Sequence, residues 1–309
     1  MSEAKVFSFI NYKGGVAKTT STYHMGCWLA ALNKKVLLID IDPQTNLTFL
    51  CASYEDWQRR KSRVGTIADM YRRFLDKNPI EIKKYLWREP IRLRDGRRHP
   101  RIDLVPCDID LIGEDIGSGH VAGAYPSMEM LRRNAEQFVH DRDFLVRIID
   151  EVRDEYDYVL IDCPPNLYLM TQNALCASNY YIVTAIPDHL STIGLNILIE
   201  KVKQINTLME NAVVLAGRSE SRNRVAKFGA VLFVRVRLGG DRLTIAHRTK
   251  MYELREEIEC FDTHTTELIG YTEAAQNALP VWLHDSDNAR LATQKQEYPN
   301  IVEEFLRKF

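Results

Sequence analysis

The chain has no pair of cysteines in C-x-x-C spacing, no apolar run long enough to span a bilayer and almost no net charge. Its six cysteines, Cys27, Cys51, Cys107, Cys163, Cys176 and Cys260, are scattered among apolar neighbours, which fits reduced thiols in a cytoplasmic protein. No charged-then-apolar leader precedes the first strand-like residues, so a cytoplasmic location is expected. A net charge of −1 gives no overall attraction for a polyanion. There is no internal repeat, low-complexity tract or clear interdomain linker in the 309 residues. The expectation is one domain over 1–309 with insertions near 51–65, 76–101 and 210–227.

What is present is an alternation of short apolar strands with helical stretches. Strands are expected at 5–11, 35–40, 102–106, 157–162, 180–185 and 228–235. Helices are expected at 19–33, 66–75, 142–154, 171–178, 191–209, 245–259 and 299–308. Near-continuous apolar strands are those covered on both faces, so the fold class is α/β, a doubly wound, mostly parallel sheet with helices on both sides. The stretch 88–101 reads as an exposed, arginine-rich loop, 216–227 reads similarly, and Ser118–Pro126 reads as a flexible connection.

Residues 11–20, Asn-Tyr-Lys-Gly-Gly-Val-Ala-Lys-Thr-Thr, join the first strand to the first helix. Strand, glycine-containing loop and helix make a phosphate cradle, because loop N–H groups and the helix dipole both favour an anion. The cradle would comprise Lys13, Gly14, Gly15, Val16, Ala17, Lys18, Thr19 and Thr20. Lys18 would reach the β/γ-phosphates of ATP, and the Thr19 hydroxyl would ligate Mg²⁺. The standard G-x-x-x-x-G-K-[ST] pattern is broken, since Tyr12 and Ala17 stand where its glycines belong. A plain Gly-Gly turn is the alternative reading. Two more apolar runs end in carboxylates, at Asp40-Ile-Asp42-Pro43 and at Asp162-Cys163-Pro164-Pro165. In an open parallel sheet ligands sit beyond such strand ends, and a Mg²⁺·nucleotide needs oxygen ligands there. Asp162 would hold the metal through water, with Asp40 in its outer shell. Asp40 and Asp42 also read as turn or cap residues.

Lys13-Gly14-Gly15-x-x-Lys18-Thr19, followed by the two aspartate segments in order, resembles the deviant Walker A motif and switch motifs of the ParA/MinD family of ATPases, closest to its Soj-like partition ATPases. The resemblance covers most of the chain, including Thr66–Tyr71, Ile102–Ile112, Gln172–Leu195 and an adenine-side loop at Tyr271–Val281. It implies that Lys13 acts across a homodimer on the partner's γ-phosphate and that Asp42 orients the attacking water. Hydrolysis of ATP to ADP would then be slow, dependent on dimerisation and stimulated by a ParB-like or other cargo-adaptor protein. Ala17 departs from the family's glycine, and its methyl crowds the phosphate position.

In this family ATP-bound dimers bind DNA non-specifically, which implies association with the nucleoid and movement of DNA or protein cargo. From Arg218 to Lys250 nine basic residues face two acidic ones, a surplus of seven. Arg218, Arg222, Arg224, Arg235, Arg237, Arg242, Arg248 and Lys250 are the candidate phosphate-backbone contacts, together with Lys227. A solvated loop and helix face is the alternative. The stretch Glu267–Tyr271 lacks the basic residue that family members often carry there. A MinD-like membrane switch shares the site, but the final apolar stripe, Ile301, Val302, Phe305, Leu306 and Phe309, is flanked by balanced charge, so no membrane partner is expected. A metabolic enzyme of the same fold, a dethiobiotin-synthetase-like ligase or an iron protein using Cys107 and Cys163, is the remaining alternative.

Overall fold

The computed structural model describes residues 3–93, 95–114, 127–217, 225–240, 242–267, 270–284 and 289–309. In chain order the strands are β1 (Lys5–Ile10), β2 (Val36–Asp40), β3 (Trp87–Arg88), β4 (Ile102–Val105), β5 (Tyr158–Asp162), β6 (Tyr180–Ala185), β7 (Lys227–Val236), β8 (Leu238–Gly239), β9 (Arg242–Leu243) and β10 (Cys260–Thr266). The helices are α1 (Lys18–Ala31), α2 (Asn46–Cys51), α3 (Tyr54–Arg63), α4 (Ile67–Leu75), α5 (Ile82–Tyr85), α6 (Met128–Asp141), α7 (Phe144–Asp150), α8 (Leu169–Ala177), α9 (His189–Leu215), α10 (Ile245–Glu257), α11 (Gly270–Gln276) and α12 (Ala289–Lys308).

Alternation along each central strand creates two cores. On β1, Phe7 and Phe9 join one apolar cluster while Val6 and Ile10 join the other. β2 divides in the same way, Val36 and Leu38 against Leu37 and Ile39. Both faces are dry, so neither can be polar, which is why the sequence shows unbroken apolar runs here. One face carries α1 and α12; the other is covered by residues of α4, α6, α7, α8 and α9. The eight-stranded sheet runs β10-β7-β6-β1-β5-β2-β4-β3, parallel throughout except that β3 pairs antiparallel with β4. Strand order reverses around β1 and β5, the position where an open α/β sheet opens a ligand crevice.

The six expected strands are present within a residue or two. The hairpin β8–β9 and the edge strands β3 and β10 come in addition. α12 begins at Ala289 and carries Pro299 inside it, ten residues ahead of the expected start. Pro299 removes one helix donor, but Tyr298 beside it is fully buried, stacks on His24 at 4.8 Å and bonds Ser21 through its hydroxyl at 3.0 Å. Tertiary packing therefore carries the helix through the proline. Ile301, Val302 and Phe305 are buried, so the final apolar stripe lies on the sheet beside Phe7 rather than on the surface. Ser118–Pro126 lies outside the described residues.

α1 sits so close to the sheet that a Cβ on Gly26 would fall 2.7 Å from Leu38 Cδ2 and 3.6 Å from Ile102 and Leu160. Gly26→Leu is expected to lower unfolding stability by about 1–3 kcal/mol through overpacking, measured by chemical denaturation.

Candidate active site

The loop between β1 and α1 turns through Gly15 at φ 72° and Ala17 at φ 53°. A left-handed alanine is uncommon, and glycine would take this conformation without strain. The turn delivers Lys18 and Thr19 to the first turn of α1, whose free N–H groups face the cavity. Lys18 is buried and its Nζ donates to Lys13 O at 3.2 Å. Burial lowers its pKa, with Asp162 and Asp42 opposing that shift. All of Gly14–Thr20 lines one open cavity of about 740 Å³, together with Asp42, Arg235, Thr265, Thr266 and Tyr271.

β2 and β5 place Asp40 and Asp162 directly opposite each other in register. Their environments differ. Asp40 accepts from Asp42 N at 3.1 Å, Thr48 N at 2.9 Å and Thr48 Oγ1 at 2.7 Å. Those bonds fold the 40–48 loop back on its strand, so Asp40 acts as the turn-holding residue, with three of the roughly four acceptor sites of its carboxylate occupied. Burial pushes its pKa up to about 7, against the pull of the Thr48 bonds. Asp162 is fully buried, and no donor meets its carboxylate oxygens in good hydrogen-bond geometry, although the Thr19 hydroxyl approaches them. Burial raises its pKa well above the usual carboxylate range, and Asp40 adds to the rise, while Thr19 and Lys18 favour the charged form. An orphaned buried carboxylate beside a lysine and a threonine hydroxyl is a donor set that fits a hydrated Mg²⁺. Among the described residues no cluster of three or more His, Cys, Asp or Glu side chains can cage a metal alone. This suits Mg²⁺, which commonly takes one or two protein ligands plus phosphate oxygens and water.

Asp42 is nearly buried on the cavity wall. Its Oδ1 accepts from Gln44 N at 3.0 Å, and Thr45 follows in left-handed backbone, so the segment is also the turn that its sequence suggests. Lys13 lies apart from the cavity lining: its Nζ donates to Ser191 Oγ at 2.9 Å and lies 3.6 Å from Asp188 Oδ1. Asp188 caps α9 by accepting from Ser191 N, and Asn11 holds the Lys13 amide from the other side. Asp-x-x-Ser before an apolar run is a cap signature that identifies these residues in retrospect.

The basic stretch divides. Arg218, Arg222 and Arg224 lie outside the described residues. Arg235 lines the cavity, and Arg235 and Arg237 share Glu267, which places both at the cavity rim instead of on a free basic face. Lys227 is exposed at the start of β7. Arg242 and Arg248 are exposed with no ion pair among the described residues, and Lys250 pairs with Glu253 at 2.7 Å. Cys107 and Cys163 are both fully buried, which gives no exposed pair to hold an iron–sulfur cluster across an interface.

A family model described as an AAA domain matches residues 4–215. The chain belongs to that family, in its ParA/MinD type. The chromosome-partitioning ATPase Soj of Treponema pallidum is 29% identical over 216 residues, 69% of this chain and 69% of that protein. Among solved structures, an ATP complex of Cyanothece McdA superposes with a TM-score of 0.71 at 17% identity, covering 100% of this chain and 98% of the other. Cobyrinic acid a,c-diamide synthase from Mycobacterium smegmatis, bound to an ATP analogue and magnesium, gives 0.62 at 21% identity, covering 98% and 94%. The structural likenesses establish the fold shared by ParA-type ATPases, and that fold also serves a biosynthetic enzyme.

Two outcomes follow from the site's electrostatics. A carboxyl whose folded pKa is raised stabilises the fold fully below its ordinary pKa and loses that contribution as pH rises through the folded value. The nucleotide-free protein is therefore expected to lose stability between about pH 4, an ordinary carboxyl value, and pH 7, Asp40's raised value. Asp162→Asn should raise its melting temperature above wild type at pH 8, while abolishing any stabilisation by Mg²⁺ and nucleotide together. Ala17→Gly should stabilise by about 0.5–1 kcal/mol, because the relieved left-handed strain exceeds the added chain entropy.

Proposed function

We propose that the chain is a partition-type ATPase whose ATP-bound homodimer binds DNA non-specifically and moves DNA or protein cargo. The observation that carries the nucleotide reading is Asp162, fully buried with no donor in good hydrogen-bond geometry and with Lys18 and Thr19 beside it, at the end of a glycine turn. Lys18 and the N–H groups of residues 15–19 hold the phosphates, Thr19 and Asp162 hold Mg²⁺, and Asp40 keeps the 40–48 loop in place. Mg²⁺ supplies charge neutralisation at the phosphates.

Asp42, on the cavity wall with its Oδ1 fixed by Gln44, orients the attacking water. Lys13 supports the dimeric reading. Its amine is held by Ser191 and Asp188 and lies outside the lining of its own cavity, leaving it available for a second subunit's terminal phosphate. A cation supplied in trans makes turnover depend on pairing, and a cargo adaptor that stimulates hydrolysis would set how long the pair lasts. The DNA-binding surface is the exposed Arg242 and Arg248 with Lys250, on β9 and α10 just beyond the end of β7, whereas Lys227 sits at the strand's opposite end. No described helix is long and apolar enough to cross a membrane.

Lys18→Ala is expected to abolish ATP binding. Asp42→Ala should keep binding while turnover falls by about 100-fold or more, measured as phosphate release with and without DNA. The double variant Arg242→Ala/Arg248→Ala should weaken binding similarly on unrelated DNA sequences and reduce the salt slope by up to about four per dimer, about one for each arginine lost. A chain that instead amidates or carboxylates a small acid, with turnover indifferent to DNA and to Lys13, is a metabolic ligase of the same fold.

A further inference from the structure

Arg235 belongs to a bulge. Between Phe233 and Val236, β7 spends three residues where β10 spends two, from His264 to Thr266. Such an extra residue re-aims a side chain at a strand's end. Arg235 takes left-handed backbone, φ 52°, and its amide donates to Thr265 Oγ1 at 3.2 Å. Its guanidinium is carried across to the phosphate loop, where Nη1 donates to Gly15 O at 2.9 Å. Nη2 donates to Glu267 Oε1 at 2.6 Å, and Glu267 Oε2 accepts Arg237 Nε at 2.7 Å. Two guanidinium groups thus share one carboxylate, leaving a surplus positive charge at the mouth of the cavity. Arg235 lines that cavity, whereas Arg237 is outside the lining and more exposed.

We propose that Arg235 reads the nucleotide in cis: when the site fills, its guanidinium stays anchored on Gly15 and exchanges Glu267 for a phosphate oxygen. The proposal rests on the nucleotide reading given above and adds a residue that the phosphate-loop motif does not contain. The exchange is favoured by magnitude. The Arg235 and Glu267 side chains are 45% and 32% exposed, so water screens their pairing and it adds little net stability. A guanidinium fork on phosphate is charge-assisted and directional, and here the anchor on Gly15 has already ordered the long side chain. Glu267 is then the placeholder of the empty site and competes with the ligand. The strained backbone at Arg235 fits a residue held for a ligand, since the bulge gives up ladder pairing to aim one side chain.

The test is the affinity of fluorescent ADP and of a slowly hydrolysed fluorescent ATP analogue, with Mg²⁺, for wild type and four variants. Arg235→Gln should lose about tenfold or more, Arg235→Lys should fall between it and wild type, and Arg237→Gln should change by no more than about twofold. Glu267→Gln is decisive because it removes the guanidinium's partner: it should bind as tightly as wild type or more tightly. Unchanged affinity in Arg235→Gln overturns the proposal. So does a Glu267→Gln variant as weak as Arg235→Gln, which would make the three side chains a brace for the loop. A wild-type protein that binds neither nucleotide overturns the nucleotide reading itself and this proposal with it.

Discussion

Two carboxylates end neighbouring parallel strands in register, and the chain satisfies only one of them. Asp40 takes three donors from its own loop; Asp162, fully buried, has only the Thr19 hydroxyl approaching it and no donor in good hydrogen-bond geometry. A buried carboxylate so poorly partnered is costly, and a desolvated lysine near it offsets only part of that cost. The sheet core on both faces holds these groups in place, so they cannot relax outward to water. The functional end of the molecule is consequently an unfinished electrostatic arrangement. On the proposed reading, a hard cation and an anionic phosphate are the pair of ligands that complete it.

Groups far apart in sequence converge on the same opening. The β1–α1 loop supplies backbone donors, the 40–48 loop supplies Asp42, β5 supplies Asp162 and the β7 bulge supplies Arg235. Lys13 is bonded to the start of α9, and Arg242 and Arg248 follow the bulge directly in sequence. Of these elements, the β1–α1 loop reaches α9 through Lys13, and the β7 bulge leads on along the chain to α10. On the proposed reading, that continuity would give nucleotide state a short physical route to a second subunit and to Arg242 and Arg248.

The central strands were legible because burial on both faces leaves one readable signal, an unbroken apolar run ending in a charge. The phosphate loop was legible although its second glycine is Ala17, because Lys13, Gly14, Gly15, Lys18 and Thr19 keep their spacing. β10 was not: Cys-Phe-Asp-Thr-His-Thr-Thr lies at the sheet edge with a partly polar pattern, and only pairing with β7 makes it a strand. The start of α12 was hidden by Pro299, whose local cost is outweighed by the burial of Tyr298 and by Glu297 accepting from Thr266 and Tyr271. α6 sits in a stretch with only a few core residues, Ala135, Phe138 and Val139, too sparse a stripe to stand out. Arg235 and Arg237 keep the exposure that charge counting expects, but charge counting shows nothing of their shared partner Glu267 at the cavity rim. Their positions depend on a one-residue register slip and on Glu267, neither of which leaves a mark in local composition.

The central claim is that a triphosphate completes this site only when a second chain contributes Lys13. The most direct measurement is the molecular mass in solution, by sedimentation, of wild type and Lys13→Gln with ADP and with a slowly hydrolysed ATP analogue plus Mg²⁺. Wild type is predicted to be monomeric with ADP and dimeric with the analogue, while Lys13→Gln stays monomeric with both. A wild type that remains monomeric when saturated with the analogue, or a Lys13→Gln variant that pairs as readily as wild type, contradicts it.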